Sequence, residues 1–68
     1  MIRYNYEFER IKAKTKMTQT RFDDEEHRDL IYKYAQLGYR LVHVVPMAVS
    51  ANGAPMELEL IFERQTGS

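Results

Sequence analysis

One ten-residue segment, 37–46, constrains the fold more strongly than any other part of the chain. It reads LGYRLVHVVP, in which a glycine is followed by an apolar run. This pattern is typical of a helix that ends at Gly38 and passes into a strand. A strand-like segment precedes it, and Asn52-Gly53, the strongest short signal for a β-hairpin, follows it. The order predicts a strand–helix–strand–strand unit of the α+β class.

The N-terminal segment alternates between apolar and polar residues, which predicts a half-buried strand over about residues 2–13. The residues expected to point toward the core are Ile2, Tyr4, Tyr6 and Phe8. The alternation changes phase at Ile11 and Ala13. We therefore expect either a bulge near Glu9-Arg10 or a strand that runs past the core.

The middle of the chain contains a polar segment and a clear helix signal. Residues 15–22 show no periodicity and predict a mobile loop. Asp23 is a good N-cap for a helix over about 24–37. The residues at helical spacing on its buried side are His27, Leu30, Ile31, Tyr34 and Leu37. One amphipathic helix should therefore pack on the sheet.

The C-terminal half predicts two strands, over about 40–49 and 56–64. A two-residue type I′ turn at Asn52-Gly53 sets their register. The inner face then holds the pairs Val49 with Met56, Met47 with Leu58, Val45 with Leu60, and His43 with Phe62. The outer face holds Val42, Val44, Pro46, Ala48, Glu57, Glu59, Ile61 and Glu63. This register gathers nearly all the large apolar residues on one side.

The simplest sheet has three strands and is mainly antiparallel, in the order one-three-two. The crossover through the helix is right-handed, and the second strand lies at an edge, where Pro46 is tolerated. The order one-two-three is the alternative. In either case Glu7 and Glu9 are expected on the same outer face as Glu57 and Glu59, which is an unfavourable arrangement of like charges.

Size and composition limit what the chain can do. With 68 residues it forms a single domain, and a domain this short buries only about 60% of its unfolded surface. It has no cysteine to form disulfides, so oligomerisation is the expected compensation. Ten basic and ten acidic residues cancel, which argues against a strongly basic nucleic-acid binder. With neither a signal peptide nor a membrane segment in this sequence, we expect a cytoplasmic protein.

The leading functional hypothesis is a non-enzymatic domain that associates with itself and binds another protein. Exposed apolar residues on a sheet face and its edge favour pairing with a second chain. The expected contact residues are Tyr32, Val42, Val44 and Ile61. A dimer or a larger homo-oligomer is therefore expected.

Two other binding functions remain open. A basic stretch could follow the phosphates of a nucleic acid, and it consists of Arg10, Lys12, Lys14, Lys16 and Arg21. The aromatic residues of the first strand could stack on bases, but we expect them in the core. The other possibility is a small ligand bound at a subunit interface.

The sequence predicts no catalytic residue, metal site or cofactor. The acidic residues from Asp23 to Glu26 are explained by helix capping and lack the spacing of a calcium loop. His27 and His43 are both expected on inner faces, where a core imidazole is more common than a metal ligand. The glycines do not form a phosphate-binding loop.

The same residues resemble a family of short bacterial and phage proteins known as domain of unknown function 4177. The similarity lies in the aromatic-rich strand Tyr4–Phe8, the helix end Leu37-Gly38-Tyr39, the strand 40–46 and the last strand, 58–64. This chain has Tyr39 where tryptophan is common and Arg40 where glutamate is common. The resemblance implies the fold and a prokaryotic or phage setting, and it implies no catalytic residues.

Overall fold

The computed structural model describes residues 1–16 and 19–67. The elements in chain order are β1 (Arg3–Lys12), β2 (Lys14–Lys16), β3 (Gln19–Arg21), α1 (Asp24–Gln36), β4 (Arg40–Val49) and β5 (Pro55–Thr66). The main sheet has the order β1-β5-β4, and both pairings are antiparallel. The α+β class and the one-three-two order are therefore confirmed.

The segment between the first strand and the helix differs from the loop predicted over 15–22. It contains a small antiparallel pair, in which Lys14 lies opposite Arg21 and Thr15 lies opposite Thr20. β-Branched residues favour extended backbone, so a threonine-rich segment can form short strands without any apolar alternation. The periodicity argument could not detect this pair, because neither strand has an apolar side to bury.

Both ends of α1 follow the capping rules. The Asp23 Oδ1 atom accepts a hydrogen bond of 2.9 Å from the Glu25 N–H. At the other end, the Gly38 N–H donates to the Ala35 carbonyl and the Tyr39 N–H donates to the Tyr34 carbonyl, with Gly38 at φ +85°. This is a Schellman motif. It directs the chain from α1 into β4.

The core is a thin layer between α1 and one side of the main sheet. Within the described residues, the buried apolar side chains are Ile11, Tyr34, Leu60 and Phe62. The Tyr34 ring stacks on Phe62 with centroids 4.4 Å apart, and Tyr39 meets Tyr34 edge-on at 5.5 Å. Leu37, expected in this layer, is about half exposed, because it is already the C-cap residue.

The predicted register between β4 and β5 is wrong by one residue from His43 to Pro46, whereas Ala48 lies opposite Glu57 as predicted. Ser50 and Ala54 are bonded through the Ser50 N–H and the Ala54 carbonyl, and the Gly53 N–H donates to the Ser50 carbonyl. Three residues, 51–53, therefore separate the paired positions. A one-residue shift moves every side chain of a strand to the other face.

The shift changes the faces of the middle of β4. Val44 lies opposite Leu60 and Pro46 opposite Leu58, so both lie on the helix side instead of the outer face. His43 lies opposite Ile61 and Val45 opposite Glu59, on the side away from α1. An irregularity between Leu41 and His43 then brings Leu41 opposite Phe62, on the helix side.

The expected core position of the β1 aromatic residues is also wrong. β1 pairs with β5 without a bulge from Arg3 to Lys12. Ile11 lies opposite Leu58 on the helix side, so the alternating set that includes Phe8 points the other way. Alternation shows which residues share a face, and only the position of α1 decides which face is covered.

Candidate protein interface on the open sheet face

The side of the main sheet away from α1 carries a mixture of aromatic, aliphatic and charged side chains. We call this side the open face. Its members on β1, β5 and β4 include Tyr4, Tyr6, Phe8, Arg10, Lys12, Glu57, Glu59, Ile61, Glu63, Gln65, Arg40, His43, Val45 and Ala48. No described helix or strand covers these residues, since α1 lies on the other side with the core.

An apolar row occupies the β1 side of the open face. Tyr4, Tyr6 and Phe8 are 47%, 49% and 57% exposed. They lie two residues apart on one strand, which places them about 7 Å from each other. Phe8 lies opposite Ile61, and Ile61 lies opposite His43 on the far strand. Contiguous exposed aromatic surface of this kind is uncommon on a monomer and marks sites of interaction.

The charges of the open face are paired with each other. Arg10 contacts Glu57 at 3.3 Å and Glu59 at 3.5 Å, and Arg40 contacts Glu63 at 3.1 Å. The glutamates stand on the central strand between arginines of the two outer strands. Three carboxylates thus share the face with two arginines and Lys12, so its charges nearly balance and do not repel a second copy strongly.

The repulsion expected between two pairs of glutamates does not occur. Glu7 and Glu9 lie opposite Phe62 and Leu60, on the helix side, whereas Glu57 and Glu59 are on the open face. Glu9 accepts a hydrogen bond from the Tyr34 hydroxyl. Glu7 and Glu9 share the helix side with Ile11, which is buried in the core, whereas Phe8 shares the open face with Glu57 and Glu59.

Tyr6 lies near Glu63 on the open face, and this carboxylate affects its ionisation. Partial burial raises the pKa of Tyr6 above its usual value of 10.0, and the charge of Glu63 raises this pKa further. A side-chain hydrogen bond with the same carboxylate also raises this pKa.

The four predicted contact residues do not form one surface. Ile61 is on the open face, and Val44 is on the helix side. Tyr32 is 68% exposed on α1, and Val42 lies at the irregularity of β4. Sequence reasoning missed the aromatic row because it placed these residues in the core. The phase change at Ile11 was the signal that could have identified them.

The predicted basic stretch is divided among several environments. Arg10 is engaged with two glutamates, and Lys14 Nζ lies 3.7 Å from Asp23 Oδ2. Lys12 belongs to the open face, and Arg21 lies on β3 opposite Lys14. The side chain of Lys16 lies outside the described part of the chain. The described cations therefore do not follow a single line.

The two histidines lie on opposite sides of the sheet, contrary to the expectation that both face inward. His43 is on the open face, whereas His27 is on α1 beside the inner residues Leu41 and Leu58. Residues 1–16 and 19–67 contain no cluster of three or more potential metal ligands. None of the helices in these ranges is long and apolar enough to cross a bilayer.

Comparison with known proteins identifies the family. The model of the family described as "Domain of unknown function (DUF4177)" matches residues 5–65 of the 68-residue chain. The chain belongs to this family. Neither the curated proteins nor the solved structures include a match.

Proposed function

We propose that this DUF4177 protein is a non-enzymatic domain that associates with a second copy of itself through the open face and binds another protein in that form. The observation that carries the proposal is the row Tyr4, Tyr6 and Phe8, which is about half exposed on an uncovered sheet. A sheet face that leaves a row of aromatic side chains uncovered can bury it against a second layer. Another copy supplies that layer.

The shape of the protomer supports this choice. The Cα atoms span 50 × 21 × 10 Å, so the molecule is a thin plate. Three strands about 4.8 Å apart and some 33 Å long present roughly 500 Å² of projected area. Two copies then cover about 1,000 Å², which is near the lower limit for a specific interface. We therefore expect an association of moderate strength.

The distribution of charge supports a copy of the same chain as the occupant. A two-fold contact brings the same patch of both subunits together, so the patch must suit itself. The open face places Ile61 near its centre, between Phe8 and His43. Glutamates and arginines on either side are already paired, so a second copy meets little unbalanced charge of one sign.

The lack of cysteine agrees with this proposal and with a cytoplasmic setting. A reducing compartment makes disulfides unavailable, and the 68 residues contain no cysteine. Association is then a remaining way for a small domain to gain stability.

Sedimentation or light scattering over a wide concentration range tests the association. We expect the mass of the native chain to rise toward a dimer or larger, and Phe8→Arg to restore the monomer. Tyr32→Arg is the matched control, because Tyr32 is equally aromatic and more exposed but lies on the helix. A native chain that stays monomeric at high micromolar concentration, or equal effects of both variants, contradicts the proposal.

Binding of single-stranded nucleic acid is the second candidate, because aromatic residues on an open sheet can act as stacking platforms. Stacking proteins combine such residues with a positively charged groove, whereas Glu57, Glu59 and Glu63 lie along the centre of this face. Titration of labelled DNA and RNA at low salt distinguishes the candidates. Binding that is lost in Phe8→Ala and in Lys12→Glu supports the nucleic-acid function.

A further inference from the structure

A cleft lies on the helix side of the sheet, away from the open face. Its volume is about 260 Å³. The apolar wall consists of Ile11, Phe22, Leu41, Val44, Leu58 and Leu60. Asp23 and His27, from the start of α1, complete the lining. The cleft thus combines an apolar body with a polar mouth at one end.

Asp23 supplies the carboxylate in the lining of this cleft, at the N-terminal end of α1, although a helix N-terminus usually attracts anions. Two of the first amide groups of α1 are already satisfied, because the Glu25 N–H bonds the Asp23 side chain and the Glu26 N–H bonds the Asp23 carbonyl. An anionic ligand at this position would therefore meet the Asp23 carboxylate rather than these two N–H groups.

The Lys14 ammonium group already lies near the Asp23 carboxylate. Lys14 Nζ is 3.7 Å from Asp23 Oδ2, and the side chains of Lys14 and Asp23 are 71% and 41% exposed. An ion pair this exposed contributes little stability. A ligand ammonium can therefore replace Lys14 at small cost, provided that its apolar part is buried in the cleft.

We propose that this cleft binds a small organic ammonium ion, with its aromatic or aliphatic body against Phe22, Val44 and Leu60 and its charge beside Asp23. The volume is below the several hundred Å³ typical of sites for drug-sized ligands, so the ligand is about the size of one large side chain. This site goes beyond the self-association proposed above, and it uses the opposite side of the sheet.

Two probes of the same shape and opposite charge test the site. Tryptamine and indole-3-acetate are titrated into the native chain and followed by NMR shifts of backbone amides. We expect tryptamine to shift the amides of Phe22, His27 and Val44 and to bind about tenfold more tightly, because attraction of one charge and repulsion of the other add. The preference should shrink as salt is added. No binding, or equal binding of both probes, overturns the proposal.

Two substitutions move the affinity for tryptamine in opposite directions. Asp23→Asn keeps a good N-cap and should weaken binding about two- to fivefold, whereas Lys14→Met removes the competing cation and should strengthen it. Asp29→Asn is the matched control, since it removes a carboxylate from the same helix outside the cleft lining. Phe8→Arg should leave tryptamine binding unchanged, which separates this site from the association. Weaker binding in Lys14→Met, or an equal loss in Asp29→Asn, contradicts the proposal.

Discussion

The two faces of the main sheet differ in what covers them: α1 covers one face and leaves the other open. The side chains of the strands alternate between these two faces with equal regularity. On the helix side of β5, Leu60 and Phe62 are 2% and 0% exposed under α1. On the open face of the same strand, glutamates alternate with Ile61 and are flanked by arginines. One strand thus carries a dry face and a charged face. The central position of β5 makes this possible, because both outer strands supply partners.

β1 shows the opposite arrangement, because its aromatic residues are on the uncovered side of the sheet. Tyr4, Tyr6 and Phe8 are on the open face, and Glu9 is on the helix side, where it accepts the Tyr34 hydroxyl. Apolar character alone would assign these faces the other way. Ile11, which is 3% exposed, settles the phase because α1 packs on it.

The largest expected effect on stability is that of replacing Phe62, which lies on the helix side, and the matched substitution on the open face is at Phe8. Phe62→Ala should cost about 3–5 kcal/mol of unfolding free energy, the range for a buried phenylalanine. A domain of this length has a total of about 3–10 kcal/mol, so the variant should lose a large part of its stability and unfold at a much lower urea concentration. Phe8→Ala should change the stability of the monomer by about 0.5 kcal/mol or less. Urea unfolding followed by circular dichroism measures both.

The protein concentration is the control for this pair. At low concentration the Phe8→Ala variant should match the native chain. At high concentration the native chain should gain stability from association and the variant should not. A large loss in dilute Phe8→Ala would mean that the open face belongs to the core of the monomer.

The sequence was sufficient for the elements of the main sheet and the helix, but not for the side on which each strand residue lies. Gly38 and Asp23 act locally through backbone conformation and capping, so the ends of α1 could be predicted. The register of β4 depends on whether the hairpin loop has two or three residues, and Asn52-Gly53 is compatible with both. The open face was missed for a related reason. Phe8 and Ile11 are both apolar and lie on opposite sides of β1, and only the position of α1 decides which of them is buried.

Gly38→Ala tests the contribution of the C-terminal cap of α1 to stability. Gly38 has φ +85°, and an added Cβ would lie 3.2 Å from Arg64 Cδ. Arg64 also lies over the Tyr39 ring and donates to the Leu37 carbonyl. We expect a loss of about 1–2 kcal/mol from the backbone conformation, with an added cost from moving Arg64. Thermal unfolding measures the loss.

Gly53→Ala is the matched control for this prediction. Gly53 has nearly the same backbone angle, φ +88°, but nothing lies within 4 Å of an added Cβ. Its loss should therefore be smaller than that of Gly38→Ala. Equal losses would show that Arg64 adapts without cost.

The two faces should also differ in their response to alkaline pH. Burial raises the pKa of Tyr34, and the charges of Glu9 and Glu7 raise this pKa further. An unfolded tyrosine loses its proton near pH 10, whereas folded Tyr34 keeps it to higher pH. Stability should therefore be constant below about pH 10 and fall above it. Urea unfolding at neutral and alkaline pH should show a smaller decline in Tyr34→Phe.

Tyr6→Phe tests the same response on the open face. There the charge of Glu63 raises the pKa of Tyr6, as the charge of Glu9 raises that of Tyr34. Tyr6 is 49% exposed and Tyr34 is 8% exposed, so Tyr6→Phe should reduce the alkaline decline less than Tyr34→Phe. A larger reduction in Tyr6→Phe than in Tyr34→Phe would mean that folding raises the pKa of Tyr6 more than that of Tyr34.

The smallest expected effect concerns the ion pairs of the open face. Arg10→Met leaves Glu57 and Glu59 without the arginine, and because that arginine is 54% exposed, the loss should be about 0.5–1 kcal/mol. Arg40→Met removes the partner of Glu63 alone and should cost less. Urea unfolding at low and high salt separates charge from packing, because screening reduces the contribution of exposed pairs. A loss in Arg10→Met that does not change with salt would show that the aliphatic part of Arg10, lying beside Phe8 on the strand, matters more than its charge.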